Sequence, residues 1–422
     1  MLKVEECKDA SRDKPIELMP LPKKVYLPLV QHLGKPCEPV VKVGDDVVVG
    51  QRIAAVEAKL TAFIHASISG RVVGIEEWPH PAIGRFPCIV IESDDSERKI
   101  DFKPLKDFTP EQIRNQIFLS GIVGMGGAGF PTHIKLTPPK PVDTLIVNGA
   151  ECEPYLTGDY RLMIERTTQI LAGIDLVRTC LGVSYVYIAI EDNKPEAISA
   201  FKDNLGDRKY VLRVLKSAYP QGGEKQLIKT VLNKEVPSGK LPFDVGVVVH
   251  NVATLFAIYE AVYLGKPLYE RVVTVTGSCI SRPKNLMVRL GTPIKELIEF
   301  CGLKENPAKI IIGGPMMGVA QFSDSVPVIK TTTGVILLDQ KESELLEEEF
   351  CIRCGACVRG CPVGLMPCLI NLVSEKSLWQ KAKDLGASDC IECGVCSYVC
   401  PANRFLTQSI KRAKLEIAKG LK

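Results

Sequence analysis

Eight cysteines near the C-terminus are arranged in two runs of identical spacing. They are Cys351, Cys354, Cys357 and Cys361 before Pro362, and Cys390, Cys393, Cys396 and Cys400 before Pro401. Each run reads C-x2-C-x2-C-x3-C-P, the spacing with which thiolates bind [4Fe–4S] clusters. In two-cluster ferredoxins the fourth cysteine of each run binds the other cluster. The sequence therefore predicts two clusters, with Cys400 completing the first ligand set and Cys361 the second.

A zinc site and a disulfide framework are the alternatives for these cysteines. Zinc ligands usually come as two pairs, whereas here three evenly spaced thiols precede a fourth, which favours clusters. Cys368 follows the first run and is expected to pack in a core without binding metal. The remaining cysteines are scattered and are expected to be small buried apolar residues. They are Cys7, Cys37, Cys88, Cys152, Cys180, Cys279 and Cys301.

The second feature with chemical meaning is a glycine-rich segment at residues 121–135. Gly124, Gly126, Gly127 and Gly129 leave most of a six-residue stretch without side chains. Such a loop brings backbone N–H groups close to a phosphate or a flat ring. Its spacing is denser than the G-x-G-x-x-G of dinucleotide-binding folds, and no predicted strand directly precedes it. A set of tight turns is the alternative explanation.

Two further loops follow predicted strands. Residues 148–154 place Glu151 and Glu153 at the C-terminal edge of a sheet, where α/β domains bind ligands. Residues 219–225 open a helix whose N-terminus favours an anion. Carboxylates in such loops accept hydrogen bonds from ribose hydroxyls. The alternatives are that Glu151 and Glu153 cap the following helix and that Phe130 is a core aromatic.

The sequence patterns around these loops predict a multidomain α/β protein. Residues 24–100 show short β patterns around glycine turns, as in the flattened barrel-sandwich of biotinyl and lipoyl carrier domains. The pattern has two halves, at residues 41–53 and 64–75, and Lys59 is the only lysine between them. Lys59 lacks the flanking residues of the carrier motif, so we expect the barrel to be a structural module.

Residues 110–265 alternate strands with helices, which predicts a layered, Rossmann-like α/β domain with a largely parallel sheet. The expected strands are 144–148, 184–190, 211–215 and 245–249, and the expected helices are 161–181, 195–205, 224–232 and 252–264. Residues 270–335 predict a small α+β, β-grasp-like domain. Residues 340–422 predict a helical two-cluster domain that ends in a basic helix at 411–422.

Composition excludes several other classes of protein. The 422 residues are 46% hydrophobic and 24% charged, as in ordinary soluble domains, and a net charge of +4 gives no reason to expect a nucleic-acid partner. The N-terminus lacks the apolar core of a signal peptide, so we expect reduced cysteines in the cytosol. The most apolar stretch, 245–263, is interrupted by polar residues and predicts a strand and a helix in place of a membrane span.

Four segments together resemble the NADH-binding flavoprotein subunit of respiratory complex I. They are residues 124–132, 148–154, 222–224 and 250–254. With the cysteine runs, the barrel and residues 313–318, the chain resembles most closely the C subunits of Rnf complexes, which are ion-pumping ferredoxin:NAD⁺ oxidoreductases. The resemblance covers nearly the whole chain, and its motifs occur in the same order.

The resemblance implies non-covalent FMN and NAD(H) beside the two [4Fe–4S] clusters. It implies no catalytic side chain, because the hydride chemistry belongs to the flavin. Met125 and Ala150 depart from the arginine and aspartate of complex I flavoproteins. The positions that match cofactor-binding residues are Gly124, Gly126, Gly127, Ala128, Gly129, Phe130, Lys135, Asn148, Glu151, Glu153, Tyr219, Gly223, Glu224, Asn251 and Thr254, of which Lys135, Asn251 and Thr254 match contacts near the flavin phosphate.

The function implied is that of a peripheral electron-transfer subunit on the cytoplasmic side of the cell membrane. Its partners would be the other subunits of a redox complex, with ferredoxin reached indirectly or through that complex. One alternative is a soluble NADH-dependent flavin and iron–sulfur reductase similar to cobalamin reductases. Another is an electron-wire or scaffold subunit that binds clusters but no nucleotide.

Overall fold

The computed structural model describes residues 1–420, and its first elements precede the predicted barrel. They are helix α1 (Asp9–Arg12) and strand β1 (Ile16–Leu18). The barrel follows as two small antiparallel sheets, ordered β2-β8-β7-β4 and β3-β5-β6. Val25, Leu27, Ile89 and Ile91 face inward and are fully buried. The strands are β2 (Lys24–Pro28), β3 (Glu38–Pro39), β4 (Asp46–Val47), β5 (Arg52–Ala55), β6 (Ile64–His65), β7 (Gly70–His80) and β8 (Gly84–Ser93).

The next part of the chain is the α/β layer that the alternating pattern predicts. Its elements are α2 (Pro110–Leu119), α3 (Thr132–Lys135), β9 (Thr144–Gly149), α4 (Gly158–Glu165), α5 (Thr167–Leu181), β10 (Tyr185–Glu191), α6 (Pro195–Asn204), β11 (Val211–Leu215), α7 (Glu224–Leu232), β12 (Val247–Asn251) and α8 (Val252–Tyr263). All pairings in the sheet β11-β10-β9-β12 are parallel. The helical stretch expected at 161–181 is confirmed except at Arg166, where the chain breaks into α4 and α5.

A mixed sheet of six strands follows, in the order β1-β14-β13-β17-β15-β16. Its elements are β13 (Glu270–Thr276), β14 (Lys284–Arg289), α9 (Ile294–Cys301), β15 (Lys309–Ile312), β16 (Val319–Ala320) and β17 (Gly334–Leu338). The edge strand β1 comes from the N-terminal segment and pairs in parallel with β14. The sequence patterns did not predict this addition, because three residues are too few to show a period.

The C-terminal part is helical and carries both cysteine runs. Its helices are α10 (Ala356–Gly360), α11 (Pro367–Glu375), α12 (Trp379–Asp384), α13 (Val395–Tyr398) and α14 (Leu406–Ala418). Gly355 and Gly394 have positive φ angles of 72° and 80° and start α10 and α13 at equivalent places in the two runs. The final helix begins earlier than the expected 411 and ends before 422, and residues 421–422 lie outside the described part. No helix within residues 1–420 is long and apolar enough to cross a membrane.

Candidate functional site

The glycine loop closes on itself between the end of α2 and the start of α3. The backbone N–H of Gly124 donates to the carbonyl of Phe130 at 2.8 Å, and that of Gly129 donates to the carbonyl of Gly124 at 3.1 Å. Gly126, Gly127 and Ala128 at the tip are exposed. Gly127 has a φ of +113°, a conformation that side chains disfavour. The loop therefore presents an open backbone surface to a ligand.

Hydrogen bonds of the Met125 backbone N–H and carbonyl hold the glycine loop in place. The Met125 N–H donates to Thr254 Oγ1 at 2.9 Å, and its carbonyl accepts from the Arg271 guanidinium at 3.3 Å. The Met125 side chain is itself buried. Arg271 is also buried and donates to the carbonyl of Lys330. Sequence reasoning missed Arg271 because it stands on β13, in a part of the chain without a ligand-type motif.

Asn251 and Thr254 lie at the N-terminus of α8, beneath the tip of the glycine loop. Asn251 Oδ1 caps the helix by accepting from Ala253 N at 2.9 Å, and its Nδ2 donates to Asp159 Oδ2 at 2.5 Å. A Cβ on Gly126 would lie 3.3 Å from the Asn251 side chain. Burial raises the pKa of Asp159 to about 7, and the nearby Glu151 carboxylate acts in the same direction. Asp159 is a second residue that the sequence patterns missed.

The acidic loop after β9 directs its two carboxylates at protein N–H groups. Glu151 accepts from Asp159 N at 2.8 Å and Tyr160 N at 3.2 Å, so it caps α4, as one of the alternatives held. Glu153 accepts from Met316 N at 3.1 Å and Met317 N at 2.9 Å, and burial raises its pKa to about 7. In this structure both carboxylates shape the loop.

The 219–225 loop faces the acidic loop. Asn148 Nδ2 donates to the carbonyl of Gly222 at 2.9 Å, which ties the two loops together. Gly223 is the N-cap of α7, and Glu224 is the first residue of that helix. Lys135 Nζ and Glu224 Oε1 are 2.5 Å apart, so the two oppositely charged candidates form an ion pair. Phe130 is half-buried at the other end of the glycine loop.

The described residues fit a flavin nucleotide in two respects. The tip of the glycine loop is an exposed surface without bulky side chains, which suits a phosphate or a flat ring. Four buried polar atoms on the surrounding segments have no hydrogen-bond partner among the described residues, and buried polar groups normally have one. They are Thr132 Oγ1, Gln221 Nε2, Gln226 Oε1 and His250 Nε2.

The second cysteine run and Cys361 line one cavity. Cys361, Cys390, Cys393 and Cys396 surround about 330 Å³ of empty space, part of which is open to solvent. These four residues are the members of the crossed ligand set predicted from the spacing, and four thiols that line one cavity have the chemistry to bind a [4Fe–4S] cluster. Burial raises the pKa of Cys393 to about 11.

The members of the first set differ in exposure. Cys351 and Cys354 are exposed in an irregular segment, whereas Cys357 is buried, and burial raises its pKa to about 11. The Cys357 thiol contacts Cys368, and Cys400 packs in the same apolar cluster. Within residues 1–420 no three histidine, cysteine, aspartate or glutamate side chains converge as a site for a single metal ion.

Tyr219 joins the candidate flavin pocket to the second cysteine run. Its ring is buried, and its hydroxyl donates to the backbone carbonyl of Cys393 at 2.8 Å. A Cβ on Gly394 would lie 2.7 Å from the carbonyl of Met316, so the cysteine loop also packs against the loop that holds Glu153. The 219–225 loop and the cysteine cavity are therefore direct neighbours.

The N-terminal segment lies across the same loops and was not predicted. Leu2 and Tyr219 exchange backbone hydrogen bonds of 2.9 and 2.7 Å. The buried ammonium of Lys8 donates to the carbonyls of Glu151 at 2.7 Å and Leu156 at 2.5 Å. The N-terminal segment therefore contacts both loops, because Lys8, Glu151 and Tyr219 line the same cavity.

Family models cover most of the chain. The Nuo51 FMN-binding domain matches residues 117–260, and the RnfC barrel sandwich hybrid domain matches residues 2–96. The SLBB domain matches residues 272–320, and the 4Fe-4S dicluster domain matches residues 344–402. The order of these domains agrees with the layout expected from the sequence.

A solved structure shows a related fold at low sequence identity. It is the NAD⁺-reducing [NiFe]-hydrogenase in the H₂-reduced state, with a TM-score of 0.51 and 17% identity. The match covers 75% of this chain and 64% of that chain. At this identity the likeness concerns the fold alone.

Curated relatives are far more similar in sequence. The C subunit of the proton-translocating ferredoxin:NAD(+) oxidoreductase complex of Clostridium ljungdahlii is 46% identical, over 90% of this chain and 85% of the relative. The C subunit of the Na(+)-translocating complex of Acetobacterium woodii is 43% identical, over 97% of this chain and 94% of the relative. The C subunit of the ion-translocating oxidoreductase complex of Rhodobacter capsulatus is 45% identical over 94% of this chain. The chain belongs to the family of C subunits of ion-translocating ferredoxin:NAD⁺ oxidoreductase complexes.

Proposed function

We propose that this chain is a peripheral electron-transfer subunit of a membrane-bound, ion-translocating ferredoxin:NAD⁺ oxidoreductase. It exchanges hydride with NAD(H) at FMN and single electrons through two [4Fe–4S] clusters. The observation that supports the proposal best is the contact of Tyr219 with Cys393, because it joins a loop proposed to bind the hydride acceptor to a loop proposed to bind a one-electron carrier.

The proposal assigns each part of the chain a task. The barrel at 24–100 and the β-grasp-like domain at 270–335 hold the FMN and NAD(H) domain at 110–265, and the helical domain at 340–422 carries the clusters. The partners are the other subunits of the complex, through which ferredoxin is reached. The chain lies on the cytoplasmic face of the membrane.

Bound FMN supplies the hydride chemistry and the change from paired to single electrons, and the clusters supply one-electron transfer. The side chains supply position and charge. Thr254 and Arg271 fix the Met125 peptide and so set the shape of the glycine loop. The Lys135–Glu224 pair places a cation and an anion at the pocket's rim, suited to a phosphate and to ribose hydroxyls.

The cofactor content of anaerobically purified protein tests the proposal. We expect one FMN and about eight iron atoms per chain, as two [4Fe–4S] clusters require. NADH should bleach the flavin absorbance. A chain that binds iron but shows no flavin reduction by NADH would instead be an electron wire.

The soluble, cobalamin-reductase type of enzyme is the second candidate. Its cofactors are the same, so cofactor content does not separate the two. Fractionation of native cells does: the proposed subunit should sediment with membranes together with its partners. Recovery only in the soluble fraction, at low and high salt, would favour the second candidate.

A further inference from the structure

The barrel is bonded to the glycine loop through the backbone of Leu33. The Leu33 N–H donates to the carbonyl of Gly129 at 2.9 Å. A Cβ on Gly129 would lie 3.5 Å from the Cα of His32 and 2.9 Å from Cγ2 of Thr331. Glycine suits this position because its φ is +61° and a Cβ would press against Thr331, while the barrel backbone lies at ordinary contact distance.

Buried groups hold the barrel and both ends of the glycine loop together. The fully buried Lys330 donates from Nζ to the carbonyls of Phe63 in the barrel at 2.6 Å and of Gly121 at 2.7 Å. Its backbone N–H donates to the Gln31 side chain at 3.2 Å. At the other end of the loop, the His133 ring lies beside the backbone of Lys59. The barrel is thus fixed against residues 121–133.

The side chain of Leu33 remains in solvent at this junction. It is 57% exposed, although the adjacent residues Gln31 and His32 are buried. Exposed Ala128 is the chain neighbour of Gly129, to which Leu33 is bonded. An apolar side chain thus stands at the edge of the open glycine surface, where a nucleotide would lie.

We propose that the barrel segment 31–35 forms one wall of the NAD(H) site, with the Leu33 amide fixing Gly129 and the Leu33 side chain flanking the bound dinucleotide. This rests on the proposed function, since it assumes that the glycine loop receives NAD(H). It gives the barrel a role that needs no modified Lys59. A dinucleotide carries a dianionic pyrophosphate, so a charged side chain at position 33 would attract or repel the ligand.

Charge substitutions at Leu33 test the wall. Leu33→Glu should raise the KM for NADH about fivefold at low salt, with kcat unchanged, as expected for one negative charge about 8 Å from the two negative charges of the pyrophosphate in a solvated site. Leu33→Lys should not raise the KM. The increase in Leu33→Glu should shrink at high ionic strength, because salt screens exposed charges. Val40→Glu is the matched control, because Val40 is equally exposed, at 56%, on the same barrel.

The outcomes separate three cases. An equal increase in the KM for NADH in Leu33→Glu and Leu33→Lys would mean that position 33 has only a structural role. This result would overturn the proposal that segment 31–35 borders the NAD(H) site. Unchanged KM values in both variants, with an active parent protein, would also overturn it. A parent protein that binds FMN but fails to oxidise NADH would instead refute the proposed function, and the wall with it.

Discussion

The hydroxyl of Tyr219 donates a 2.8 Å hydrogen bond to the backbone carbonyl of Cys393. Tyr219 belongs to the 219–225 loop, which faces the acidic loop at 148–154. Cys393 lines the same cavity as Cys361. The bond fixes the position of the 219–225 loop relative to the second cysteine run. Electron transfer depends steeply on distance, so we expect the cluster on the second cysteine run to be the one that exchanges electrons with the flavin.

Tyr219→Phe should slow reduction of that cluster without changing flavin or iron content. The variant leaves the buried Cys393 carbonyl unpaired, which should lower the free energy of unfolding by about 1–3 kcal/mol. Stopped-flow spectroscopy after NADH mixing follows flavin and cluster separately. Tyr185→Phe is the control, because Tyr185 is 58% exposed. Normal cluster reduction in Tyr219→Phe would remove this residue from the connection.

Double variants of the cysteines should reveal the crossed ligand sets. Cys361→Ala and Cys393→Ala each should lose about four iron atoms, and the double variant should lose no more than either alone. Cys361→Ala combined with Cys357→Ala should lose about eight. Iron analysis and electron paramagnetic resonance measure this. If Cys361→Ala and Cys357→Ala together cost a single cluster, the sets are not crossed.

Glu224→Ala should weaken the reaction with NADH while iron content stays unchanged. The substitution removes the partner of Lys135 and a carboxylate at the pocket's rim. The diaphorase rate with an artificial acceptor measures the effect, which we expect to be about tenfold, or 1.4 kcal/mol. Glu235→Ala is the control, because Glu235 is 82% exposed and pairs with Lys229 at 3.7 Å. An unaltered rate in Glu224→Ala would remove Glu224 from the site.

Arg271→Met should reduce FMN retention more than iron content. The substitution leaves the buried carbonyl of Met125 without the guanidinium, and an unpaired buried group costs about 1–3 kcal/mol. It also removes a cation whose charge lowers the pKa of Asp159. The flavin-to-iron ratio after gel filtration measures the loss. Arg282→Met, a change of an exposed arginine, should keep the parent ratio.

Acid should destabilise the barrel. Burial lowers the pKa of His32 to about 4 and of His65 to about 3, below the ordinary value of 6.5. At pH values between the folded and unfolded pKa values, the unfolded chain binds more protons than the folded one. The free energy of unfolding therefore falls as the pH drops from about 6.5 toward 4. Each pKa unit corresponds to about 1.4 kcal/mol.

Denaturant unfolding at several pH values measures this loss. His65→Asn should unfold with a smaller loss between pH 6.5 and 5 than the parent protein, because one titrating group is gone. Equal pH slopes for the two proteins would show that His65 titrates alike when folded and unfolded. His133 is less suited to this test, because its substitution would also remove the packing of its ring on Phe118, whose centroid is 4.6 Å away.

Much of the chain was predictable because the information is local. Thiolate spacing within eleven residues specifies cluster binding, as Cys351–Cys361 illustrates. Strand–helix alternation predicted the parallel sheet in which Asn148 and Asn251 are paired. The glycine loop was also recognisable, since backbone without side chains has a clear signature.

Only the tertiary structure decided which distant residues complete the site. Arg271 meets the glycine loop from β13, Lys8 reaches the acidic loop from the N-terminus, and Leu33 meets Gly129 from the barrel. The local sequence around Glu151 allows both helix capping and ligand binding; the structure shows the cap, and ligand binding by Glu151 stays a prediction. Contacts between residues far apart in the chain leave no period or spacing in the sequence, because they arise only when separate elements pack together.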